Sequence, residues 1–116
     1  MTVSVIADIV GSRRLADRAE AQRLLDGAIV RVENDLPLAT RRLQPTVGDE
    51  QQGTYASLSA ALTSLLLLQL ALPDDVQCRF GVGIGPTADI DSAAGAIPEG
   101  PGWWAAREAI EHVHAT

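Results

Sequence analysis

Asp8 ends a run of apolar and small residues, Val3-Ser4-Val5-Ile6-Ala7, and is followed by Ile9-Val10-Gly11-Ser12. A carboxylate at the end of a buried strand is costly unless its charge is compensated. Further along, Gly48-Asp49-Glu50 lies between two segments with strand character, as in a hairpin turn. Two carboxylates, each beside a glycine, suit a divalent cation and a phosphate. Brought together they repel, and Mg²⁺ or Mn²⁺ between them relieves the repulsion. Such a metal polarises a phosphoryl oxygen and activates an attacking hydroxyl. The backbone amides around Gly11 can face a phosphate, Ser12 can donate one more hydrogen bond, and Arg13 or Arg14 can neutralise a phosphate tail. The plainer alternative has Asp8 capping a turn and Gly48-Asp49 forming an ordinary one, where these residue types are favoured. Glu50 points to the sheet face opposite Asp49 in a regular strand. It is a third ligand only if the turn is irregular, and otherwise a solvated or ion-paired residue.

Two later segments bear on the same chemistry. Arg79-Phe80-Gly81-Val82-Gly83-Ile84-Gly85 has glycine at every second position, which strips one strand face of side chains. A helix packed closely on that face, or a flat ligand, would explain it. The string lies on a strand and does not open a helix, which excludes a dinucleotide-binding fingerprint. Trp103 and Trp104 are adjacent and face different directions on a helix, one toward the core and one toward a ligand, a partner or a covering loop. Arg107 lies one turn after Trp103 and can reach a phosphate, or pair with Glu108 or Glu111. His112 and His114 splay apart on a helix and are not read as ligands.

These residues need elements to position them. Residues 1–9 are apolar at nearly every position, as in a central strand. Asp17-Arg18-Ala19-Glu20 reads as a capping box opening a helix with Leu24, Leu25, Ala28, Ile29 and Val32 on its apolar face. Residues 41–47 read as a strand that Pro45 confines to an edge, and residues 50–55 as its return strand, with weak propensity at Gln51, Gln52 and Gly53. Ser57 is an N-cap for a second helix running to about Leu72. Residues 76–84 alternate as a strand, residues 87–98 form a polar loop with room for a short strand, and residues 103–114 form a third helix. The order is that of a ferredoxin-like α+β domain, an antiparallel sheet with helices packed on one face. That plan sets Asp8 and the Asp49 turn at one end of the sheet.

Composition narrows the partners. The 116 residues suit one domain, residues 1–116, and the net charge is −6 with every positive charge an arginine. An acidic chain without a basic cluster is unsuited to direct nucleic-acid binding. Without lysine there is no P-loop, so metal, backbone amides and arginine must hold any triphosphate. The longest apolar stretch, around Leu65-Leu66-Leu67-Leu68, is too short to span a membrane. It does exceed what one helix face requires, which points to full burial or to a homodimer. Neither a basic leader nor a disulfide partner for Cys78 is visible, so a cytoplasmic location with a buried thiol is expected. The last helix stops without a glycine cap or proline, as at a domain edge or a C-terminal truncation.

With these pieces in place, the chain resembles the SatD family of bacterial proteins. The resemblance rests on Ala7-Asp8-Ile9-Val10-Gly11-Ser12-Arg13, Gly48-Asp49-Glu50-Gln51-Gln52-Gly53, Arg79-Phe80-Gly81-Val82-Gly83-Ile84-Gly85 and Gly100-Pro101-Gly102-Trp103-Trp104-Ala105-Ala106-Arg107-Glu108. Gln51 stands where the family usually has phenylalanine, and family members typically extend further, into a segment similar to a helix-turn-helix. More remotely, the layout is similar to the catalytic domain of class III nucleotide cyclases. That resemblance implies that Asp8 and Asp49 hold metal, with the Ile9 carbonyl as a further ligand. Arg107 matches a cyclase arginine, but Trp103 stands where cyclases carry an asparagine, and the lysine used for base recognition is absent.

Three functions fit. The favoured one is a regulatory module that binds metal and a nucleotide or other phosphate, because the metal pair is present while two catalytic-type positions are not. The alternatives are a Mg²⁺-dependent enzyme of nucleotidyl or phosphoryl transfer, and a ligand-free protein-interaction domain.

Overall fold

The computed structural model describes residues 2–10, 18–46, 50–92 and 95–114. The elements run β1 (Thr2–Ile9), α1 (Arg18–Asp35), β2 (Ala39–Pro45), β3 (Gln51–Tyr55), α2 (Leu58–Ala71), β4 (Cys78–Gly85), β5 (Ala88–Ser92), β6 (Gly95–Glu99) and α3 (Pro101–His114). The main sheet is antiparallel in the order β2-β3-β1-β4, while β5 and β6 form a separate hairpin. β1 is central, as its run of apolar and small residues requires. β2 is an edge strand whose pairing with β3 shifts register twice before Pro45, in keeping with the proline. The polar loop expected over residues 87–98 contains the β5–β6 hairpin. β3 forms in spite of weak propensity because it is paired on both sides, with β1 and β2.

The sheet has two different faces. Val3, Val5 and Ile9 of β1 join Ala21, Leu25, Ala28 and Ile29 of α1 and Ala61, Leu65 and Leu68 of α2 in the larger core. Leu24, expected on the buried face of α1, is 37% exposed. The alternate residue Ile6 packs on the other face with Trp103, Ala106 and Ile110 of α3. The two helices of the βαββαβ unit therefore share one face as expected. The third helix is a correction to that plan, since it covers the opposite face.

Caps and clasps fix the helices. Asp17, expected to cap α1, lies outside the described residues. Ser57 caps α2, its side chain accepting from the Ala60 amide at 3.1 Å. Pro101 occupies the first position of α3, where its missing N–H is not needed. Gly100 before it has φ +111°, a conformation that suits glycine. From α2, the Gln69 amide group bonds both backbone groups of Cys78, donating to its carbonyl at 3.2 Å and accepting from its N–H at 3.4 Å.

The alternating glycines of β4 admit α3. A Cβ on Gly81 would come within 2.7 Å of the Ile110 Cβ, and one on Gly83 within 2.9 Å of the Ala105 Cβ, with backbone of α3 closer still in both cases. The bare strand face is thus explained by a helix. Gly27, inside α1, has nothing within 4 Å of an added Cβ. We expect Gly83→Ala to destabilise the domain by about 3 kcal/mol or more by forcing backbone apart. Gly27→Ala should stabilise it by about 1 kcal/mol through helix propensity. Urea titrations of both variants check the contrast.

Candidate functional site

β1 leads out of the sheet through Asp8, whose side chain lies on the α3 face by alternation with Ile6. Its cross-strand partner on β4 is Arg79, and the Arg79 Nε donates to Asp8 Oδ1 at 3.4 Å. That is longer than the ~2.7–2.9 Å of a strong charge-assisted bond. Ala7 is paired with Gln51 on β3, so Glu50, one step on, comes level with Asp8 on the same face. Arg107 descends from α3 onto Glu50 with both guanidinium ends, one of them at 2.8 Å. The hydrogen bonds from Arg107 to Glu50 push its pKa up from the ordinary arginine value. A row of charges therefore forms from Glu50, just before β3, through Asp8 on β1 to Arg79 on β4, with Arg107 above it.

The hairpin carrying the second carboxylate is closed by Thr46, whose amide and hydroxyl donate to the Glu50 carbonyl at 2.9 and 3.4 Å. Asp49 lies outside the described residues, as do Gly11, Ser12, Arg13 and Arg14. Ile9 is described. Its pairing with Cys78 and the bond from the Val10 amide to the Gln77 carbonyl at 2.7 Å make it a non-hydrogen-bonded pair with β4. Its carbonyl therefore points to the β3 side, beyond the last ladder pair at Gln51. Among the described residues, no group of three or more His, Cys, Asp or Glu side chains converges as a metal cage. The oxygen donors on this side, the Asp8 carboxylate and the Ile9 carbonyl, are of the hard type that suits Mg²⁺ or Mn²⁺.

The remaining candidates divide clearly. Trp103 is buried against Ile6, while Trp104 is 61% exposed. Arg107 bonds Glu50 across the fold, while Glu111 on its own helix acts on it only through its charge. Sequence reasoning missed Arg79 as the companion of Asp8. Its signal was available, since opposite charges stand at the facing ends of two neighbouring antiparallel strands.

Two buried groups beside the site are unusual. Gln51, paired with Ala7, has no exposed surface, and neither end of its amide has a partner among the described residues. Cys78 is buried as expected. Burial, and then the charge of Asp8, push its thiol up to about 12.

The fold is that of nucleotide cyclase catalytic domains. A bacterial light-regulated adenylyl cyclase superposes with a TM-score of 0.73 at 10% identity, over 97% of this chain and 70% of that one. The guanylyl cyclase domain of the RhoGC fusion protein from the aquatic fungus Blastocladiella emersonii gives 0.69 at 12% identity, over 95% and 73%. The guanylate cyclase domain of RhGC from Catenaria anguillulae, solved in complex with GTP, gives 0.66 at 15%, over 93% and 71%. Within this fold, residues 2–116 match the SatD family, and the chain belongs to that family. No curated protein matches it. Among the described residues no helix is long and apolar enough to cross a membrane.

Two measurements probe the buried groups. Gln51→Met keeps the shape and removes the unpartnered amide, so we expect a gain of about 1–3 kcal/mol in chemical denaturation. The Cys78 thiol stays protonated in the native state up to about pH 12 but ionises near its ordinary value of 9.0 when unfolded. Its contribution to stability is whole below pH 9 and is lost as pH rises toward 12, at about 1.4 kcal/mol per unit. Cys78→Ala should flatten the alkaline fall in melting temperature relative to the wild type.

Proposed function

We propose that this domain is a regulatory module that binds a divalent cation together with a nucleotide or another phosphate ligand. The observation that supports the reading is Asp8, held at the exit of the central strand where β3 begins two residues after Asp49 in the sequence, in a fold shared with nucleotide cyclases. Asp8, Asp49 and the Ile9 carbonyl would hold Mg²⁺ or Mn²⁺. The metal would supply charge neutralisation to phosphate oxygens. Gly11, Ser12 and Arg13 would meet the phosphates.

Binding without turnover is favoured by α3. Trp103 is committed to the core, and Arg107 is engaged by Glu50. A phosphate drawn toward Arg107 competes with Glu50, so occupancy of the site loosens the contact between the hairpin and α3. A ligand thereby changes how two elements are joined, which is what a sensing module requires. Glu50 is then a clasp residue rather than an accessory ligand. An acidic, lysine-free composition supports a partner other than nucleic acid.

Thermal melting with Mn²⁺ and GTP or ATP tests this. A ligand at about a hundred times its Kd adds about 2.7 kcal/mol, near 10 °C for a domain of this size. The wild type should shift by that order, Asp8→Asn should not, and chromatography of the incubated nucleotide should show it intact. Absence of any shift in the wild type would refute the site. A shift accompanied by product would establish an enzyme in place of a sensor.

A further inference from the structure

Along α2, Leu58, Leu62, Leu66 and Leu70 recur at every fourth position and are 43%, 52%, 61% and 74% exposed. The steady rise is geometric. Four residues turn 40° more than one full helical revolution, so the row winds from the helix flank to its outward side. Such a row is an i±4 ridge. Two identical i±4 ridges interlock at a crossing angle of about −50°.

We infer that α2 is the seat of a homodimer, in which two copies pack these leucine ridges antiparallel across a two-fold axis near Ser64. The row is symmetric about that residue, so the axis sets Leu58 against Leu70 and Leu62 against Leu66 of the second copy. Charge selects the occupant and its direction. α2 carries no charged residue in a chain of net charge −6, so the face offers nothing to a charged partner. Asp74 and Asp75 follow the end of α2, and no acidic residue occupies its first turn. The antiparallel arrangement brings that acidic pair toward the positive N-terminal end of the second α2, whereas a parallel one sets four aspartates side by side. The leucines supply on the order of 400 Å² per copy, about half of a standard interface, and the uncharged exposed residues Ser59, Thr63, Gln69 and Pro73 supply a rim of similar extent.

The inference is independent of the metal site, since α2 lies on the sheet face away from Asp8 and α3. Light scattering across concentration tests it. The wild type should approach twice its 12.2 kDa mass, and Leu66→Lys should dissociate at least a hundredfold more readily with an unchanged melting curve at low concentration. Mixing Leu62→Lys with Leu66→Glu sets opposite charges at one crossing contact and should restore the dimer mass. A wild type that stays monomeric, a dimer indifferent to Leu66→Lys, or a mixture that fails to associate would each overturn the inference.

Discussion

The distance between α3 and the sheet governs the Asp8 side of the molecule. Gly81 and Gly83 remove the side chains that would hold the helix off, so its backbone lies directly on β4. At that height Trp103, Ala106 and Ile110 meet Ile6 of the central strand. One turn beyond Trp103, Arg107 is then near enough to grip Glu50. A side chain at either glycine lifts all of these contacts together. The charge row is thus built on an apolar constraint, and its geometry is only as firm as the packing beneath it.

The two faces of the sheet divide the work. The α1–α2 face holds the larger core and supports the domain. The α3 face has a smaller apolar patch and carries the charged groups at its end. Likeness to nucleotide cyclases at 10–15% identity is likeness of architecture. What a particular chain does with that architecture depends on the residues at this end of the sheet.

Much of this was legible in the sequence because it rests on short-range pattern. The run of apolar and small residues 3–7 identified the central strand, Pro45 identified an edge, and Ser57 identified a helix start. The glycine alternation revealed a bare face, and the sequence alone left open whether a helix or a ligand filled it. What escaped depended on contacts between distant segments. Nothing local indicates that Glu50 meets Arg107, because that contact follows from strand register and helix height together. The placement of α3 on the second face was hidden for the same reason. Gln51 was visible as a departure from its family's phenylalanine, but only the fold shows that its amide is fully enclosed.

The grip of Gln69 on Cys78 has a wider effect. At the start of β4 the outward backbone donor and acceptor are both taken by one amide, so that end of the sheet offers no template for an added strand. On the far edge, irregular register and Pro45 spoil the template in another way. The sheet is thus closed to an added strand at the start of β4 and irregular along β2, so ribbon-like growth has fewer places to begin.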